Sequence, residues 1–287
     1  MLIYLAGGGT GNLFKLWKEM MKIYLAGTYS RPFVIEEAMK IYLAENAPWR
    51  ENGIYDNAII NNKPFILESY FYIKEKNQWI LKMRPFFKEF LLDSGAFTFI
   101  QNNSTKCNWD KYVEDYANFI NIQKIDLFFE LDIDSIVGIK EVERLRNKLE
   151  KLTNKQCIPV WHKSRGKEYW SKMISDYKYI AIGGIVSGEI KQNEYYYFNY
   201  FLNEANKNNV KVHGLGFTNL VGLKQYKFYS VDSTAWLYGN RGGFLYHFNG
   251  KSIEKIIEKN KRLRGKEAAI HNFNEWLKFS NYAEINL

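Results

Sequence analysis

Short, uninterrupted apolar runs alternate along most of the chain with segments of helical periodicity. The runs are FILES (65–69), FLLDSG (90–95), DLFFELD (126–132), CIPVWH (157–162), YIAIGGI (179–185), VKVHGLG (210–216) and FYSVDS (228–233). Apolar residues at consecutive rather than alternate positions mean that both faces of a strand are buried, as in a parallel sheet covered by helices. Between the runs, WDKYVEDYANFI (109–120) sets Tyr112, Val113, Tyr116, Phe119 and Ile120 on one helix face, behind Asn108 as an N-cap. VERLRNKLEKL (142–152) repeats Val142, Leu145, Leu149 and Leu152, and EYYYFNYFLNEANKN (194–208) and SIEKIIEKNKRL (252–263) follow the same period. An eighth strand comes from IYLAG near the start, which occurs at 1–7 and at 21–27, with a truncated copy at 39–44 that equally finishes a helix. Which copy is the first strand stays open. The similarity then stops, so a repeat architecture is a poor reading. Eight β/α units in about 250 residues predict an α/β fold of the (β/α)8 TIM-barrel type rather than a doubly wound sheet.

With no linker or low-complexity block, the expectation is a single domain. Residues 1–250 form the barrel with a variant N-terminal segment (1–60), and 251–287 form basic helices packed on it. Composition narrows the class. Of 287 residues, 46% are hydrophobic and 17% aromatic, which excludes disorder and collagen-like or coiled-coil structure. Two distantly spaced cysteines, Cys107 and Cys157, argue against a disulfide framework or a cysteine-rich zinc module and fit a reducing cytoplasm. No uncharged apolar run is long enough to span a membrane, and the start lacks the basic region of a secretory signal. Forty basic against 31 acidic residues, formally +9, favour a polyanionic partner. Part of that excess lies in KSIEKIIEKNKRLRGK (251–266), which reads equally as a solvated helix face carrying Glu254 and Glu258.

Almost every predicted strand ends, on its C-terminal side, in a polar group or a glycine pair: Glu68, Asp93, Asp132, His162, Gly183-Gly184, His213-Gly214 and Asp232. In a barrel these ends share one rim, where active sites of this architecture form. Three aspartates in one cleft repel, so their pKa values should separate, with one retaining a proton. The plainer reading of each, a polar cap on a strand, stays open, and Glu130 and Asp134 rival Asp132 on the same run.

With DSGAF (93–97), IDLFFELD (125–132), GGIVSGE (183–189), VHGLGFTNL (212–220) and SVDSTAWLYGNRGG (230–243) in order over residues 64–245, the chain resembles the tRNA-guanine transglycosylase (queuine tRNA-ribosyltransferase) superfamily. It looks most like the zinc-free viral and bacterial branch that exchanges guanine in DNA for a 7-deazaguanine, such as 7-cyano-7-deazaguanine or a derivative. The resemblance implies that Asp232 attacks C1′ to form a covalent glycosyl-enzyme and that Asp93 serves as general acid/base. It places Asp132, His162, Gly183, Gly184 and Ser94 around the base and Arg241 against nucleic acid. Phe97, Phe217 and Trp236 are candidate stacking surfaces at base and nucleic acid, with packing the plainer reading of Trp236, and Lys163 and Arg165, just past the fifth strand, meet either nucleic-acid phosphate or solvent. Neither cofactor nor metal is expected. The partners implied are DNA, with its guanine flipped or single-stranded, the incoming deazaguanine base and a second copy of the chain in a homodimer. The setting is the cytoplasm, that of the host if the protein is viral. Departures bear on substrate: His162 stands where the tRNA enzymes carry a base-contacting glutamine, and the second Gly and the Gln of their DSGGFQ are Ala96 and Thr98. No cysteine follows Cys157 to build their zinc site, which favours DNA over tRNA. Exchange on tRNA, or a catalytically inactive nucleic-acid-binding subunit, are the rival readings.

Overall fold

A computed structural model describes residues 21–31, 34–35, 63–101, 107–237, 244–256 and 265–287. Eight parallel strands make one sheet: β1 (Lys22–Ala26), β2 (Phe65–Ser69), β3 (Glu89–Asp93), β4 (Leu127–Phe128), β5 (Val160–Trp161), β6 (Tyr179–Ile182), β7 (Lys211–Gly214) and β8 (Ser230–Ser233). The order is β4-β3-β2-β1-β8-β7-β6-β5. Its two ends meet. Phe129 and Ile158 form a parallel bridge, flanked by Ile158 N–H to the Phe128 carbonyl (2.8 Å) and Glu130 N–H to the Ile158 carbonyl (3.1 Å). The sheet therefore curls into a TIM-barrel-like shape. Its first strand is the second IYLAG copy, and copies 1–7 and 39–44 lie outside the described residues.

Alternation along each strand divides the buried residues in two. Tyr24, Ala26, Phe65, Leu67, Leu91, Phe129, Ile158, Val160 and Ala181 pack together inside the curled sheet. The intervening Ile23, Leu25, Ile66, Leu92, Phe128 and Ile182 pack with the surrounding helices. Burial on both faces is what makes the runs continuously apolar.

The helices at Trp109–Gln123, Ile139–Thr153, Gly166–Asp176 and Tyr197–Lys207 follow β3, β4, β5 and β6. Asn108 caps the first as expected, its side chain accepting the Lys111 N–H at 3.0 Å. Among the described residues no helix is long and apolar enough to cross a membrane.

The predicted helix over 252–263 is corrected. Ile253–Ile256 is a strand, β10, antiparallel to β9 (Leu245–Phe248), and 257–264 lie outside the described residues. The overlooked signal is Asn249-Gly250, a hairpin pair. Gly250 sits at φ +89°, and the Asn249 side chain accepts the Lys251 and Ser252 N–H groups at 3.1 and 2.8 Å. The hairpin is held by the helix Gly265–Asn286, whose Asn272 and Glu275 accept the Tyr246 and Phe248 N–H groups. The same helix packs on β1, where the Ser280 hydroxyl donates to the Ile23 carbonyl at 2.9 Å.

Candidate active site

A cavity of about 1500 Å³ opens at the C-terminal ends of the strands, and Asp93, Asp132 and Asp232 all line it. Asp93 ends β3. Its Oδ2 accepts the Gly95 N–H at 3.0 Å, across a turn only glycine fits: Gly95 has φ +87°, and a Cβ there would meet the Phe71 Cβ at 2.5 Å. Burial, and then the negative charges of Asp132 and Asp232, push the Asp93 carboxyl up to about 7. Asp93 therefore holds its proton up to near neutrality, as burial beside other acids favours.

Asp232 is held from one side. Its Oδ1 accepts the Gly216 N–H at 2.6 Å and lies 3.3 Å from His213 Nε2, while Oδ2 has no hydrogen-bond partner among the described residues. Asp132 lies across the mouth, with Oδ2 3.4 Å from His162 Nε2. The other nitrogen of that ring is 3.1 Å from Glu189 Oε2, and Glu189 Oε1 accepts the Ser164 N–H at 2.7 Å. Burial opposes a charge on His162, but the two carboxylates outweigh it and push the imidazole up to about 10. The hydrogen bond from His162 in turn lowers Glu189 to about 2. The glycine pair of GGIVSGE is explained by this cluster: a Cβ on Gly183 would meet the His162 ring at 2.7 Å, and one on Gly184 (φ +79°) would meet Glu189 Oε2 at 2.7 Å.

The Asp93 environment carries a stability consequence. A carboxyl whose pKa is raised on folding loses stability as pH climbs from its unfolded value through its folded one, because the folded state binds the proton more tightly. Asp93→Asn removes that titration. The variant should be more stable than the parent at about pH 8 by on the order of 1–3 kcal/mol, with the gap closing towards about pH 4. Urea unfolding of both proteins across that range checks it, and a gap independent of pH refutes it.

Several expected contacts are not in the cavity. Phe217 is fully buried among Tyr195, Phe198 and Phe228, so it offers no stacking face. Trp236 is also buried, its indole N–H donating to the Ala26 carbonyl at 2.9 Å, and cannot touch nucleic acid. Ser94 points into the core, where its carbonyl accepts the Tyr112 hydroxyl at 2.7 Å. Arg165 borders the cavity, but its side chain is only 1% exposed and is taken by Glu130 (2.8 Å) and Asp134 (3.2 Å). Glu130 and Asp134 are thereby engaged by Arg165, which leaves Asp132 as the acid of its run that faces the His162 ring on the cavity wall. Lys163 is exposed and paired with Glu194 at 2.6 Å. Arg241 lies outside the described residues. Phe97 does line the cavity, half-exposed.

Other lining residues were not anticipated. Tyr29 and Tyr72 stack at 5.1 Å with planes 8° apart, and Lys255 stands at the same opening. Glu68, noted only as a strand-end acid, accepts the Thr28 hydroxyl and the Tyr29 N–H, and burial pushes it up to about 8. Glu189 was visible within GGIVSGE, but its reach to His162 is a tertiary fact.

Comparison with known proteins places the fold alone. No family model and no curated protein matches the chain. A solved structure described as a putative fructose-1,6-biphosphate aldolase from Coccidioides immitis superposes with a TM-score of 0.53 at 10% identity, over 93% of this chain and 88% of that one. At that identity the likeness speaks for a shared TIM-barrel-like architecture.

Proposed function

We propose that the protein is a base-exchange transglycosylase that replaces guanine in DNA by a 7-deazaguanine. The reading is carried by the convergence of Asp93, Asp132 and Asp232 on one cavity, with Asp232 presenting an open Oδ2 and Asp93 poised near neutrality. In the step this supports, Asp232 Oδ2 bonds to C1′ as the C1′–N9 bond breaks. The bonding electrons leave with guanine, and the Asp93 proton neutralises the departing heterocycle. The incoming deazaguanine returns a proton to Asp93 as its own nitrogen displaces the carboxylate. An acid with a pKa of about 7 serves both halves of that cycle.

Asp132 suits the N–H edge of guanine, since a carboxylate accepts two hydrogen bonds. One oxygen already faces His162, and both His162 nitrogens face carboxylates, so contact between His162 and the base carbonyl requires it to release Asp132 or Glu189. The cavity exceeds the roughly 300–1,000 Å³ usual for small-molecule sites, which suits a nucleotide with its flanking backbone rather than a free base. Phe97, Tyr29 and Tyr72 offer stacking faces, and Lys255 offers a cation for phosphate.

The test is incubation with radiolabelled guanine and either single-stranded DNA, duplex DNA or tRNA. Label should enter DNA, and a 7-deazaguanine should chase it out. Label in tRNA alone would move the same chemistry to the other polymer, and label in neither removes the reading.

A further inference from the structure

A buried chain of hydrogen bonds reaches Asp232 from the interior of the curled sheet. Tyr179 on β6 places its hydroxyl 2.6 Å from Ser230 Oγ on β8, and Ser230 Oγ is 2.7 Å from Nδ1 of His213 on β7. The opposite nitrogen, Nε2, is 3.3 Å from Asp232 Oδ1. His213 is fully buried, with its ring against those of Tyr24 and Phe129 at 5.9 and 5.2 Å. The four residues lie on three adjacent strands, and the β7–β8 register pairs His213 with Ser230 directly.

An ionised carboxylate only accepts hydrogen bonds, so the ring nitrogen facing Asp232 must be the one bearing hydrogen. With a single ring proton, carried on Nε2, Nδ1 is an acceptor and receives a hydrogen bond from the Ser230 hydroxyl. Ser230 Oγ then accepts from Tyr179, whose phenol burial keeps protonated by pushing its pKa up. Every bond then points towards the nucleophile.

We propose that His213 is a positioning residue: oriented by Ser230 and Tyr179, it fixes Asp232 Oδ1 together with the Gly216 N–H, so that Oδ2 alone is presented for attack. The proposal rests on the transglycosylase reading for Asp232 being the ionised nucleophile. A carboxylate locked in one rotamer needs no reorientation at the moment of reaction. Once Oδ2 is bonded to the sugar, Oδ1 becomes the ester carbonyl and keeps both donors, ready to receive charge when the second base displaces the carboxylate.

Two measurements test this. Long-range ¹H–¹⁵N correlation on protein labelled at its four histidines, with His213→Gln to identify the signal, should show hydrogen on Nε2 and none on Nδ1. In Ser230→Ala that preference should weaken to a mixture of tautomers. A proton on Nδ1 of His213 in the parent protein overturns the proposal, and because this arm needs no turnover its failure is separate from failure of the exchange reading. In the exchange assay, His213→Leu should lower kcat about 100-fold with KM for the base unchanged. His213→Gln, whose amide keeps a donor near the Nε2 position, should stay within about 10-fold of the parent. Equal losses in both variants, or a loss confined to KM, would show that His213 only fills space.

Discussion

Asp232→Ala should lose base exchange by at least about 10⁴-fold, equivalent to roughly 5.5 kcal/mol of transition-state stabilisation. The size follows from the role: Asp232 is fixed through Oδ1 by a backbone N–H and a ring nitrogen, which leaves Oδ2 for attack. Asp93 keeps a proton near neutrality, and Asp132 faces His162. The protein should remain folded, because Asp232 is at the cavity rim and its partners are one backbone N–H and one ring nitrogen. Two readouts are needed. Denaturing electrophoresis with labelled DNA should show a covalent adduct with the parent protein and none with the variant. The initial rate of guanine incorporation should fall in step. Persistence of the adduct in Asp232→Ala would transfer the nucleophile's role to another carboxylate.

Glu130→Ala should cost about 3–5 kcal/mol of stability, the loss typical of breaking a buried ion pair from one side. Glu130 is fully buried, with Arg165 on Oε1 at 2.8 Å and Arg146 on Oε2 at 3.1 Å; the Val160 N–H also donates to Oε1 at 2.8 Å. Removing it leaves Arg165 with Asp134 alone and Arg146 with Glu143 and the Tyr169 hydroxyl, and it strands a buried strand amide. The place matters as well. Glu130 lies where β4 meets β5, joined by a single bridge rather than a full ladder, so its side chain ties a seam that few backbone bonds secure. Urea titration of the parent and variant measures the effect. A change below about 1 kcal/mol would show that the cluster contributes little to holding the seam.

The strands were legible because burial on both faces writes an uninterrupted apolar run, and all seven runs after the first strand contain a strand of the sheet. The aspartates were legible because each closes such a run, and a parallel sheet that curls on itself must bring those ends to one rim. The misreadings share a different cause. Phe217 and Trp236 lie just past strand ends, as surface aromatics would, but each turns inward to an aromatic cluster or a backbone carbonyl. Arg165 reads as a free cation beside a strand end, yet its partners, Glu130 and Asp134, are more than 30 positions away in sequence. The helix expected at 252–263 followed isoleucine spacing and overlooked the Asn249-Gly250 turn.

The sequence by itself determined the alternation of strands and helices, the strands buried on both faces and the placing of an acid at the end of four of them. These are local matters, set by which side chains must avoid water and by where an apolar run stops. Tertiary structure alone decided which polar groups act on one another: His162 between Asp132 and Glu189, His213 behind Asp232, and Arg165 paired with Glu130 and Asp134 at the cavity border. The reason is physical. Charge interactions and hydrogen bonds depend on distances across the curled sheet and on exclusion of water, and neither is encoded by a residue's neighbours along the chain.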